Sequence, residues 1–322
     1  MLLIKERVIR FTPVIVIIAL LAGGPLFIGT ALVSLMTKIL IFALMAMSLD
    51  IAFGYAGLWS FGHAALFGVA AYTNGILIKH YSITSFWLAA PSGVFMAMVA
   101  SAIFGLIALR MSGLYFLLIT FALGQLIYSI ALKWIRMTGG SDGLRGIPYP
   151  NLGFSFSPIS FYYFTLAVLG ICAVALYFVT RSPFGYGLQG IRENETRMRV
   201  LGYNVWLHKY IAFISSGLFG GVAGVLYIHF NGLITPASVG MTASGLAIIM
   251  IIIGGRGTLW GAMIGSGVIF LLEYYVSMFT PERWPAILGA CFIAAVMLTR
   301  GGILPKLMNL WRKLNPHGRT EG

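Results

Sequence analysis

Apolar runs of roughly 20 residues follow one another along this chain, separated by short polar breaks, and each is long enough to cross a hydrocarbon layer as a helix. The runs are continuous and lack two-residue alternation, which argues against a membrane barrel. The pattern predicts an all-α, polytopic transmembrane helix bundle forming one domain over 1–322. Spans are expected at 12–33, 34–54, 60–78, 86–109, 113–133, 159–180, 209–230, 241–255, 258–279 and 284–300. About ten spans place both termini on the same side.

Two polar islands interrupt the apolar pattern. Arg181–Lys209 holds 7 of the chain's 29 Asp, Glu, Lys and Arg residues. Within it, Ile191–Leu201 has the marks of a short surface helix: Glu193/Arg197 and Glu195/Arg199 are i,i+4 pairs with the acid first, and Gly202 supplies a C′ stop. Ile191, Met198 and Leu201 form a narrow apolar strip suited to a groove on a partner, with Arg192, Glu193, Arg197 and Arg199 at its rim. A solvated loop is the other reading of such a charge run. The second island, 134–158, contains TGGSDGLRGIPYP at Thr138–Pro150, a turn-rich loop. Its glycines lack the Lys-Ser or Lys-Thr that a phosphate loop needs.

Composition strengthens the membrane assignment. Hydrophobic residues make up 59% of the chain, charged residues 9%, and the mean hydropathy is +0.94. The formal charge of +13 would suit a nucleic-acid partner, but the basic residues sit at the ends of the apolar runs. With ten spans, fifteen of them fall on the side of the termini and of the 181–208 island, against six on the other. That bias predicts cytoplasmic termini, a cytoplasmic 181–208 loop and an external 134–158 loop. Cys172 and Cys291 both lie in predicted spans, with neither metal-ligand nor disulfide spacing.

Few residues are candidates for chemistry. Asp50 lies a turn inside an apolar run, where an ionisable group is either functional or close enough to the surface to reach water. Glu273 lies deeper and is the most isolated acid, so a partner helix or an aqueous path must satisfy it. His63 falls in a small-residue helix, where a lone ring is more often packed and hydrogen-bonded than metal-binding. Gln125, like Thr120, either faces a polar path or bonds to a neighbouring helix. No nucleophile–base pair, metal cluster or Walker-type loop is present in the sequence, so neither catalysis nor a cofactor is expected. The pattern is that of a pathway lacking its own energy source.

Five stretches, taken together, carry a resemblance. They are GYAGLWSFGHAALFGVAAY at Gly54–Tyr72, GLYFLLITFALGQ at Gly113–Gln125, TGGSDGLRGIP at Thr138–Pro148, SPFGYGLQGIRENETRMRVLGYNVWLHKYIAF at Ser182–Phe213 and GGRGTLWGAMIG at Gly254–Gly265. In this order they resemble the LivM-type permease subunits of branched-chain amino acid ABC importers. The resemblance implies a pore subunit of the inner membrane that works with a second, related permease, two cytoplasmic ATP-binding subunits and a periplasmic solute-binding protein. It also implies that the stretch around Ile191–Gly202 is the coupling helix that docks on an ATP-binding subunit. Asn194 stands where an acid is common in that family, and Ala262 where proline is usual. The same class serves urea, amides and other amino acids. A proton-coupled carrier using Asp50, His63 and Glu273 is the remaining alternative.

Overall fold

The computed structural model describes residues 29–279 except Thr84 and 151–155, together with 23, 25, 286, 287, 289, 290, 293, 297 and 301–306. The first predicted span, 12–33, lies largely outside these residues, and so does the last, 284–300. Every span predicted between them appears as a helix. These are α1 (Thr30–Asp50), α2 (His63–Tyr81), α3 (Phe86–Ala108), α4 (Leu114–Lys133), α6 (Pro158–Arg181), α9 (Val205–Asn231), α10 (Met241–Gly254) and α11 (Leu259–Phe279). Short helices α5 (Ile135–Thr138), α7 (Pro183–Glu193) and α8 (Glu195–Val200) lie in the two polar islands. Among the described residues, 6 helices are long and apolar enough to cross a membrane. The chain is thus an all-α polytopic bundle.

Local chemistry sets several helix starts. Ser157 accepts the N–H of Ser160 ahead of Pro158, and Ser182 accepts that of Gly185 ahead of Pro183. Asn194 and Asn204 cap α8 and α9 in the same manner. A polar cap followed by proline in the first turn satisfies an orphan donor and presets the helical φ. Helix α9 begins at Val205, earlier than the predicted 209, because Asn204 provides this cap.

Helices α1 and α9 form the centre. α1 packs against α6, α9, α10 and α11, while α9 packs against α1, α2 and α3. The small residues of α2 and α9 allow the close approach expected from the sequence. A Cβ on Gly224 would lie 2.1 Å from the Phe67 carbonyl oxygen, and one on Gly217 would lie 2.3 Å from Ser101 Cβ. Phe42, Phe67, Tyr227 and Phe270 then fill the space between α1, α2, α9 and α11, with ring centroids 4.8–6.1 Å apart. Such offset and tilted ring pairs add to simple burial.

α1 does not end as a regular helix. Residues Ile51–Tyr55 continue it as a π turn, with Ala56 N–H donating to Ile51 O at 3.0 Å. At this end of the bundle also lie the 181–208 island and the turn between α10 and α11. At the opposite end, Leu144 and Arg145 (β1) pair antiparallel with Ile234 and Leu233 (β2). The turn-rich loop is therefore pinned to the α9–α10 connection. His229 Nδ1 reinforces the pin by donating to the Pro148 carbonyl at 2.8 Å.

Candidate functional site

The polar island differs from the single helix predicted over Ile191–Leu201. The chain breaks at Asn194, whose backbone is extended (φ −157°, ψ 100°). Its side-chain oxygen accepts the Arg197 N–H at 2.9 Å and starts α8 afresh. An aspartate would cap equally well, so asparagine at this position preserves the geometry. The break puts Glu193 and Arg197 in different helices, and no ion pair between them is found among the described residues. Glu195 does pair with Arg199 at 3.5 Å, and also with Lys209 at the start of α9. Gly202 has φ +87° at C′, with Gly202 N–H on Arg199 O and Tyr203 N–H on Met198 O. This double closure is the Schellman stop that glycine favours.

The predicted apolar strip also divides. Ile191 and Met198 are 0% and 8% exposed and pack with Val205 into a small core beneath the island. They hold α7, α8 and α9 together and are not free to enter a partner's groove. Leu201 stays outside at 64% exposure, and Val200 beside it reaches 84%. Tyr203, Trp206 and Leu207 extend this exposed apolar surface. They went unnoticed in the sequence because they fall beyond the helix predicted over Ile191–Leu201.

Arg192 turns inward and does not sit on the rim. Its guanidinium donates to the Gly54 carbonyl in the π turn of α1. One helical turn earlier, Asp50 Oδ1 accepts the Gly257 N–H at 2.9 Å, tying α1 to the α10–α11 turn. Gly54 fits between these groups only because it has no side chain: a Cβ there would lie 2.0 Å from Asp50 Oδ1 and 2.5 Å from Gly257 N. Arg256 lies over Phe53 at 5.4 Å and Trp59 at 6.0 Å. This partial desolvation, with the charge of Arg192 nearby, lowers its pKa from the ordinary arginine value, against the pull of Asp50. The island, the end of the central helix and the α10–α11 turn thus meet in one knot built on Asp50, Gly54, Arg192 and Gly257.

The other candidates lie elsewhere. His63 opens α2 and is fully buried, with Nε2 2.8 Å from Ser48 Oγ and Nδ1 3.4 Å from Ser216 Oγ. Ser48 also donates to the Met45 carbonyl at 2.7 Å, so His63 Nε2 is the donor toward Ser48. The ring therefore bolts α1, α2 and α9 together. Gln125 is half-buried on α4, a helix at the edge of the bundle. Glu273 has a partner in Lys38 of α1, 3.0 Å away. Asp50, His63 and Glu273 thus have separate partners and form no continuous relay.

With this geometry in view, comparison with known proteins is informative. Residues 31–298 match the model of the family described as branched-chain amino acid transport system / permease component. The high-affinity branched-chain amino acid transport system permease protein LivM of Escherichia coli is 24% identical, covering 90% of this chain and 74% of the relative. The permease LivH of the same organism is 23% identical over 80% of this chain and 88% of its own length. The guanosine ABC transporter permease protein NupQ of Bacillus subtilis is 31% identical over a shorter stretch, 26% of each chain. No solved structure matches.

Proposed function

The chain belongs to the branched-chain amino acid transport system permease family, and from that premise we propose that it carries branched-chain amino acids across the inner membrane. It does so beside a second, LivH-like permease, with two cytoplasmic ATP-binding subunits supplying the energy and a periplasmic solute-binding protein delivering the solute. It crosses the membrane about ten times with both termini cytoplasmic, its 134–158 loop outside and its 181–208 loop inside. The chain itself hydrolyses no ATP.

The observation that carries this mechanism is the Arg192 contact to Gly54, which links a surface island directly to the central helix. Leu201, Gly202, Glu193, Arg197 and Arg199 present the surface on which an ATP-binding subunit docks. Ile191 and Met198 stiffen it from beneath, and Arg192 passes its movement to α1. The test is uptake by the reconstituted complex. Leucine accumulation should require ATP and persist when the proton gradient is collapsed, with guanosine as the control solute. Uptake that follows the proton gradient would replace this reading with the carrier alternative.

Two expected results follow from the surface. Glu193→Lys and Leu201→Asp should each reduce co-purification of the ATP-binding subunit by about tenfold, since both lie outside the packed core. Wild-type co-purification in both would return the island to a plain solvated loop. A small tag inserted after Ser141 should be reached by an impermeant reagent from the periplasmic side. Labelling from the cytoplasm alone would invert the topology.

A further inference from the structure

We propose that the cleft between α1 and α11 is a subsite for the zwitterionic end of an α-amino acid, in which Lys38 takes the carboxylate and Glu273 the ammonium. This rests on the permease reading above and adds the place on this chain where the solute is held. The cleft opens to the outside of the bundle, has a volume of about 330 Å³ and is lined by Leu35, Lys38, Phe270, Glu273, Ser277 and Met278 among others.

Lys38 Nζ lies 3.0 Å from Glu273 Oε2 and 4.4 Å from the centre of the Phe270 ring. Both charged side chains line the cleft, at 34% and 31% exposure. Lys38 stands eight residues inside α1, about 12 Å along the helix at 1.5 Å per residue. Charges within an apolar helix are disfavoured against lipid and belong beside water or a polar partner. The Lys38–Glu273 pair meets this requirement, and a zwitterion can replace it without leaving either charge alone. The single contact between Lys38 and Glu273 opens, each charge acquires an opposite partner on the solute, and the net charge of the site stays zero. The aliphatic side chain then lies against Leu35, Phe270 and Met278. A solute without this charge pair, such as guanosine or urea, cannot make the exchange.

The experiment uses vesicles containing the complete importer, with Cys172→Ser and Cys291→Ser as background and Ser277→Cys as the reporter. A water-soluble thiol reagent should label Ser277→Cys, and L-leucine at about ten times its Kd should slow the labelling about tenfold by occupying the cleft. Glu273→Gln should abolish that protection, and urea should give none. The exchange Lys38→Glu with Glu273→Lys restores the ion pair but reverses the solute and turns its side chain away from Phe270. Its leucine uptake should therefore stay about tenfold below wild type. Wild-type uptake by the exchanged pair would make the contact purely structural and overturn the proposal. No labelling, or labelling without protection, in vesicles that do accumulate leucine would overturn the subsite and leave the permease reading intact. If the wild-type vesicles accumulate no leucine, both readings fall.

Discussion

Arg192→Met is expected to leave the chain inserted and bound to its ATP-binding subunits while leucine transport falls by tenfold or more. The substitution keeps nearly the same unbranched aliphatic stem but not the full length of the side chain, so the packing of the stem on α7 is largely preserved. It removes the guanidinium that donates to Gly54 O. A hydrogen bond from a charged donor contributes about 1.5–3 kcal/mol, or roughly a ten- to hundredfold change in the equilibrium it supports. Because the contact joins positions 138 residues apart, its loss disconnects two elements and leaves each one folded. ATP hydrolysis should continue, so the informative quantity is solute moved per ATP consumed. Arg192→Lys should recover part of the coupling, since lysine brings charge and a donor without the planar fork. If Arg192→Met moves as much leucine per ATP as wild type, the contact transmits nothing.

Gly265→Val should be the most damaging substitution in the described part of the chain. A Cβ at this position would lie 1.8 Å from the Met250 carbonyl oxygen, and one on Gly254 would lie 1.8 Å from the Gly261 carbonyl oxygen. Helices α10 and α11 therefore touch backbone to backbone along this edge, the arrangement that small residues four apart permit. Overpacking a core usually costs about 1–3 kcal/mol, when side chains can yield. Here the obstacle is main chain, so the penalty should reach or exceed the top of that range. The expected result is little monodisperse protein after detergent extraction. Gly170→Ala on α6, where nothing lies within 4 Å, is the matched control and should extract as wild type or slightly better. Normal extraction of Gly265→Val would mean that the two helices separate easily.

How far the sequence speaks depends on the level of structure. Helix positions were legible because membrane spans are long apolar blocks, and polar caps such as Ser157, Ser182 and Asn204 mark several boundaries within a few residues. Facing directions were not legible. A helix surrounded by lipid and by other helices is apolar on all sides, so periodicity does not distinguish a buried side from an outer one. This is why nothing in the chain's pattern indicated that Glu273 would meet Lys38, 235 residues away. The island shows the converse limit. Its charges were plain, yet the direction of Arg192 and the burial of Ile191 and Met198 depend on Gly54 and Val205, which lie in other elements. Asn194 was a signal that could have been weighed: a residue suited to capping, in the middle of a proposed helix, is a reason to expect two. The spacing Gly261-x-x-x-Gly265 was another, pointing to the α10–α11 contact.

The π turn at Ile51–Tyr55 bears on how relatives of different length should be aligned. A π turn holds one residue more than the α-helical path it replaces. Deleting one residue there would therefore leave a continuous α-helix whose flanks keep nearly the same rotational phase, whereas the same deletion in a regular part of a helix would turn one flank by about 100° against the other. The contacts of Ser48 with His63 and of Lys38 with Glu273 would then be kept. A one-position gap at this place is thus a change of turn type that keeps the phase, whereas the same gap in the regular part of α1 would shift it. Correspondence of residues along α1 should be judged by this phase as well as by letter identity.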